Sequence, residues 1–300
     1  MDIPSVAVNV SAGSVSGELK LPKGLLFKDL AKSWEPKRPG KSLEALILGL
    51  KERREDRQPE IERAQARKEV YEEQARSWKK WTLGLINPAE QKIKEEEALI
   101  EDVRRYQNAP LFNLTFKLSG EMKTAWKQLL EGFTLVSQSI RAQEVVESQG
   151  TLGRQLDLAD LQFGIAKPKV CDSTQKYPQI MSQGRWQLDI LPGFLMLQHA
   201  EGAQIFSWSD VQLTFRSEPF RSQKRPRDAE VTFETWQHLT DAGKKDESIS
   251  DNPRVYILKM GRIQLQLDSQ QKELLFSNFK CTETFSSALH AYRKAVLNDG

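Results

Sequence analysis

The sequence predicts an α+β protein, and three observations predict it. Apolar and polar residues alternate through Val6, Val8 and Val10, and again through Phe112, Leu114, Phe116 and Leu118. Between those stretches the apolar period lengthens to that of a helix. From Arg185 onward, short alternating runs follow at close spacing until a last helical stripe of Phe285, Leu289, Tyr292 and Val296. A period of two marks half-buried strands and a period of 3.6 marks amphipathic helices. The expected architecture is a small N-terminal sheet with a charged helical hairpin (1–150), a linker (151–184) and an antiparallel β-barrel capped by a helix (185–300).

Each element has its own signal. After the first strand, "AGS" supplies turn chemistry, and Val15, Leu19 and Leu21 share one face of a returning strand, which makes a β-hairpin. A short helix is expected in "LLFKDLAKSW", and "EPKRPGK" (35–41) reads as a linker. Ser42 is placed to cap a helix whose Leu43, Leu46, Ile47 and Leu50 fall at i, i+3, i+4 and i+7. Pro59 should end or kink that helix, or open a new one. Ile61, Ala64, Tyr71, Ala75, Trp78 and Leu85 give the next helix a thin seam. Asn87, Pro88 and Glu90 start a third, marked by Ile93, Ile100 and Val103. Residues 42–107 are therefore expected to form a helical hairpin with a broken first arm, an excursion from a sheet to which strand 112–118 returns. Met122, Trp126, Leu129, Phe133, Val136 and Ile140 then step by four and three. That seam lasts under three heptads, so it is read first as a core helix and second as an intermolecular coiled coil.

Residues 148–184 show little periodicity, which places the linker there. Beyond it come "RWQLDIL", "FLMLQH", "QIFSW", "DVQLTF", "EVTFETW", "RVYILKM", "RIQLQLD" and "ELLFSNF", the two before the last divided at Gly261. The run closes in "ETFSSALHAYRKAVLN", with Thr284 as cap. Short strands with regular turns imply a sandwich or small barrel. On this element order, on "IFSWSDVQLTF" and on the final helix, residues 185–298 resemble a pleckstrin-homology-like domain, including its GRAM-type relatives. The resemblance implies seven antiparallel strands in a bent barrel with a helix over one open end. The family's phosphoinositide binders carry a basic first strand-to-strand loop. The turn read as its counterpart here is "LPGF", without charge. The resemblance therefore implies a domain that binds proteins rather than lipid headgroups.

Composition narrows function. The chain carries 44 basic and 41 acidic residues. A net charge of +3 over 300 residues gives no concentrated positive field. The N-terminus lacks the pattern of a secretory signal, and the longest aliphatic block, "LEALILGL", is far short of a membrane span. The expected location is the cytoplasm, or the nucleus in a eukaryote. Cys171 and Cys281 are read as reduced thiols. His199, His238 and His290 are isolated in sequence, and no phosphate-binding glycine loop or nucleophile elbow occurs. Glu18 and Lys20 form an ExK triplet, read as alternating surface charge, and Asp157 and Asp160 are read as caps or solvated acids in a loop or helix start. No catalytic, cofactor or metal site is expected.

Two surfaces remain. Residues 51–81 hold ten basic and eight acidic residues, interleaved. Charges so mixed cancel beyond a Debye length of about 8–10 Å, which leaves a solvated helical arm rather than a phosphate grip. On it Tyr71, Trp78 and Trp81 are the candidate partner-binding residues, since aromatic anchors dominate such sites. The second surface, "RSEPFRSQKRPR", is read as a long loop. Its Arg216, Arg221, Lys224, Arg225 and Arg227 are candidates for contact with phosphates or an acidic partner. The expected function is a non-enzymatic adaptor or complex subunit that binds protein through the arm and the barrel. The alternative is nucleic-acid or acidic-membrane contact through 216–227.

Overall fold

A computed structural model describes residues 5–11, 14–20, 34–79, 88–108, 112–150, 153–168, 171–173, 175–199 and 202–297. The expected short helix at 25–34 lies almost wholly outside them. The alternation of Val6, Val8 and Val10 becomes β1 (Ser5–Ser11), with all three side chains buried. It pairs antiparallel with β2 (Ser14–Lys20) and parallel with β3 (Phe112–Leu118). A parallel pair needs a crossover connection. The helices between β1 and β3 are that excursion, as expected.

α1 (Pro39–Glu55) starts inside the stretch read as a linker. Ser42 is therefore not its cap. Its hydroxyl accepts the Glu35 N–H at 2.7 Å and donates to the Arg38 carbonyl at 3.2 Å, fixing the entry turn. α2 (Gln58–Lys79) follows after a break, with Pro59 in its first turn, and packs on α3 (Pro88–Asn108). The α2–α3 seam buries Ile61, Ala64, Ile100 and Val103 as a cluster separate from the main core. Ion pairs bind its flanks. Arg67 grips Glu96 with two bonds of 2.7 and 2.9 Å, and Lys68 meets Glu97 at 2.8 Å. The pairing pushes the Arg67 and Lys68 values up and the Glu96 value down.

α4 (Gly120–Val136) buries Met122, Trp126, Leu129, Phe133 and Val136 against its own chain, so the heptad-like seam is a core stripe. Ile140 lies beyond the helix and is exposed. The chain then enters a ten-stranded antiparallel sheet, strongly curled into a half-barrel. Its strands are β4 (Ala142–Gly150), β5 (Gly153–Ala166), β7 (Tyr177–Ser182), β8 (Trp186–Ile190), β9 (Phe194–His199), β10 (Gly202–Ser207), β11 (Val211–Ser222), β12 (Glu230–Trp236), β13 (Arg254–Leu267) and β14 (Gln270–Phe276). The order across the sheet is β10-β9-β8-β7-β5-β4-β14-β13-β11, with β12 on the second side of β13. β6 (Cys171–Asp172) adds a short parallel edge to the small sheet beside β3.

The stretch 151–184, read as a linker, thus supplies β5, β6 and β7, and Asp157 and Asp160 lie in a strand rather than at a helix start. "RVYILKM" and "RIQLQLD" are one strand, not two. Gly261 is not a break: a Cβ there would fall 2.5 Å from the Thr282 Cβ, so glycine lets the capping helix cross β13 closely. That helix, α5 (Phe279–Leu297), starts before Thr284. Its cap is Asn278, whose side-chain oxygen accepts the Cys281 N–H at 3.1 Å.

The large sheet begins at β4, so "LPGF" is a later hairpin and not its first connection. That turn is buried. A Cβ on Gly193 would meet Val8 at 2.9 Å and Phe116 at 3.1 Å, which seats the turn against the small sheet. Its carbonyls are engaged as well. The Trp208 indole N–H donates to Leu191 and Pro192 at 3.2 and 3.1 Å, and the Tyr292 hydroxyl to Pro192 at 2.8 Å. Burial pushes the Tyr292 phenol far above its ordinary value. Trp126 and Trp208 lie 5.0 and 5.3 Å from the Tyr292 ring. One apolar cluster joins Val8, Leu43, Phe116, Trp126, Trp208 and Tyr292, linking small sheet, helices and half-barrel.

Candidate functional site

Among the described residues the half-barrel has three strand edges, at β10, β11 and β12, and the sequence treats each differently. An exposed edge presents unpaired N–H and C=O groups, which templates association unless it is blocked. At β10 the Ile205 amide donates to the Glu44 carboxylate of α1, and a Cβ on Gly40 would meet the Ile205 side chain at 3.1 Å, so glycine lets that helix lie close to the strand. At β12 the pairing with β13 shifts between Val231 and Phe233. Thr232 sits in that bulge and donates to the Ile257 carbonyl at 2.9 Å. A bulge twists an edge and interrupts its ladder.

β11 differs. It runs twelve residues in unbroken register with β13, from Val211↔Leu267 to Ser222↔Tyr256. In an antiparallel ladder, alternate residues turn their N–H and C=O away from the partner strand. Two observations fix which ones do so here. Pro219 has no N–H and sits inside the strand, the placement of an edge residue whose nitrogen faces outward. The Ile257 carbonyl points to Thr232 on the far side of β13, so its register partner Arg221 does not bond it. Both place Phe215, Ser217, Pro219 and Arg221 in the outward set. Among the described residues the amides of Phe215, Ser217 and Arg221 find no further partner.

The basic cluster belongs to this edge. Residues 216–222 are the second half of β11, and only 223–229 are the connection to β12, so the stretch read as one long loop is half strand. Arg216, Arg221, Lys224, Arg225 and Arg227 are all exposed. Arg221 donates to the Gln237 carbonyl at 2.9 Å. Arg216 meets Glu218 at 3.3 Å, and the same carboxylate lies 3.5 Å from Arg262, which also bonds Glu273. The one acid within the cluster is thus already matched. The connection is held by Asp228, whose carboxylate accepts from the Ile140 N–H at 2.9 Å and the Ser277 hydroxyl at 2.8 Å. Beside it opens a groove of about 870 Å³ lined by Ser139, Arg141, Gln143, Asp160 and Phe163. At the other end of β11, Phe215 pairs with Phe279 of α5 at 5.5 Å, and the Lys259 ammonium lies 3.9 Å over the Phe279 ring.

The arm holds Tyr71, half-buried with the Lys92 ammonium 5.1 Å from its ring. The Trp78 side chain and all of Trp81 lie outside the described residues. Val70 is exposed on α2.

Among the described residues the buried carboxylates are held in hydrogen bonds. Glu144 is 5 % exposed, and its carboxylate accepts from Ser182 at 2.8 Å, Trp186 at 2.8 Å and Arg185 at 3.2 Å. A carboxylate so saturated pins β4 to β7 and β8. Nearby, burial pushes the Lys272 ammonium below its ordinary value, with Arg185 adding to the effect and Glu144 opposing it. Asp189 is fully buried and accepts from Gln187 at 2.8 Å and from Gln198. His199, His238 and His290 lie in separate parts of the fold, and among the described residues no three His, Cys, Asp or Glu side chains gather as metal ligands. Glu18 and Lys20 form an exposed pair at 3.6 Å. No helix among the described residues is long and apolar enough to cross a membrane.

The sequence did not single out Glu44, Pro219 or Phe279. Pro219 carried a legible signal, a proline inside a strand-like run. No family model, curated protein or solved structure matches the chain.

Proposed function

We propose that this protein is a non-enzymatic interaction subunit, an adaptor that binds other proteins through its helical arm and its curled β-domain. The observation that carries the reading is the arm. α2 and α3 run 22 and 21 residues, about 30 Å at 1.5 Å per residue, yet among the described residues the apolar cluster between them holds four, Ile61, Ala64, Ile100 and Val103. Their opposed charges supply no net field for a polyanion, while exposed Val70 and half-buried Tyr71 offer apolar contact. The β-domain suits the same role. A curled antiparallel sheet followed by a C-terminal helix is compatible with the pleckstrin-homology-like class. The test is a native pull-down of tagged protein, divided into nuclease-treated and untreated halves. A stoichiometric protein partner that survives nuclease, and that Val70→Glu with Tyr71→Ala weakens at least tenfold, is the expected result. Retention that vanishes with nuclease overturns the reading in favour of nucleic acid.

A further inference from the structure

We propose that the open edge of β11 takes an extended, acidic segment of a partner protein as an added strand. This deepens the interaction reading and rests on it. Strand addition needs a run of outward backbone groups in regular register, and β11 supplies them at Phe215, Ser217, Pro219 and Arg221, with only Pro219 lacking a donor. The other two edges do not qualify: Glu44 fills the β10 donor position, and the bulge at Thr232 interrupts β12. Charge selects the occupant. Arg221 stands in the edge strand with one guanidinium nitrogen on the Gln237 carbonyl, and Lys224, Arg225 and Arg227 crowd the end of that strand, while Glu218 is spent on Arg216 and Arg262. An added strand alternates its side chains between the two faces. On the concave face they lie beside the Phe215–Phe279 pair and then Arg221, so the segment combines apolar residues with acids. A nucleic acid would use the cations alone and leave the strand amides without partners.

The experiment is fluorescence anisotropy with a labelled peptide of about ten alternating Glu and Val residues at pH 7.4. Its Lys–Val counterpart and a single-stranded oligothymidylate serve as competing probes. The peptide is also made with its odd or its even amides N-methylated. One methylated set should bind at least tenfold more weakly and the other unchanged, since only one side of a strand faces β11. Ser217→Pro, which removes an outward donor from an exposed site, should weaken binding about tenfold. Joint replacement of Arg221, Lys224, Arg225 and Arg227 by Glu should weaken it further and flatten its salt dependence. The proposal fails if both methylated peptides bind like the parent, if the Lys–Val peptide competes equally, if oligothymidylate is preferred, or if the acidic peptide does not bind. A pull-down with Ser217→Pro separates the two levels. A nuclease-resistant partner kept undiminished by that variant leaves the adaptor reading standing and removes this site, whereas no such partner on the parent protein removes the reading itself.

Discussion

The β10 and β11 edges bound the same opening in the half-barrel, two strands joined by a tight turn, yet they meet solvent in opposite ways. β10 is six residues long, and α1 lies over it, with Glu44 accepting the Ile205 amide. β11 is twice that length and carries nothing over its outward amides among the described residues. Covering an edge is the usual protection against unwanted pairing. One edge is thus covered while the longer one is left open, with cations and a single proline for safeguards, and the docking proposal rests on that difference.

The largest effect on this contrast should come from the joint between the two strands. Trp208 is 1 % exposed, holds two carbonyls of the buried turn through its indole, and offers its own carbonyl to the Arg293 guanidinium at 3.1 Å. Trp208→Ala should cost about 3–5 kcal/mol in urea denaturation, the range for a large aromatic removed from a packed core. It should also raise hydrogen exchange in both β10 and the first half of β11. A loss below about 1 kcal/mol would mean that the edges are positioned by something other than this joint.

A smaller effect is expected at the guarded edge. Glu44→Ala leaves the partly buried Ile205 amide without its acceptor, which should cost about 1–3 kcal/mol. Glu44→Gln keeps an acceptor and should recover most of that. Glu44→Ala should in addition give concentration-dependent association in sedimentation velocity, because an unblocked edge pairs with a second copy. A variant as stable and as monomeric as the parent would remove the claim that Glu44 protects β10.

The contrast was only half legible in the sequence, for physical reasons. Val6, Val8 and Val10, Phe112 to Leu118, and the stripes of α4 and α5 each face one environment per side, so their periods survive. β7 does not: Tyr177, Pro178, Gln179 and Ile180 are all buried, because both faces of that strand are covered and alternation vanishes. β4 and β5 were hidden for a different reason: β4 turns a charged residue, Glu144, inward, and β5 leaves the apolar Ile165 exposed, so apolar and polar residues do not sort by face there and 151–184 became an apparent linker. Gly261 misled for another reason, since its role is set by Thr282 on a helix that comes later in the chain. The basic cluster was visible as charge, but not its assignment to a strand edge, which depends on pairing with β13. Glu44 gave no signal at all, because its partner amide lies 161 residues away.

The smallest effect, and the most direct comparison of the two edges, comes from Pro219→Val. If the nitrogen at this position faces outward, the substitution adds an amide that meets only solvent. It also returns conformational freedom to the unfolded chain, so stability should change by less than about 1 kcal/mol, towards destabilisation. If the nitrogen instead faces β13, the new N–H would add a ladder hydrogen bond and stabilise the fold by about 0.5–1.5 kcal/mol. Hydrogen exchange reads the same distinction residue by residue. The amide introduced at 219 should exchange quickly while that of Ile205, held by Glu44, is protected. Adding the acidic peptide should then protect the new amide as well, because an added strand brings a carbonyl to every outward donor it passes. Protection at 219 before any peptide is added would place the edge the other way round and overturn the register on which the docking proposal stands.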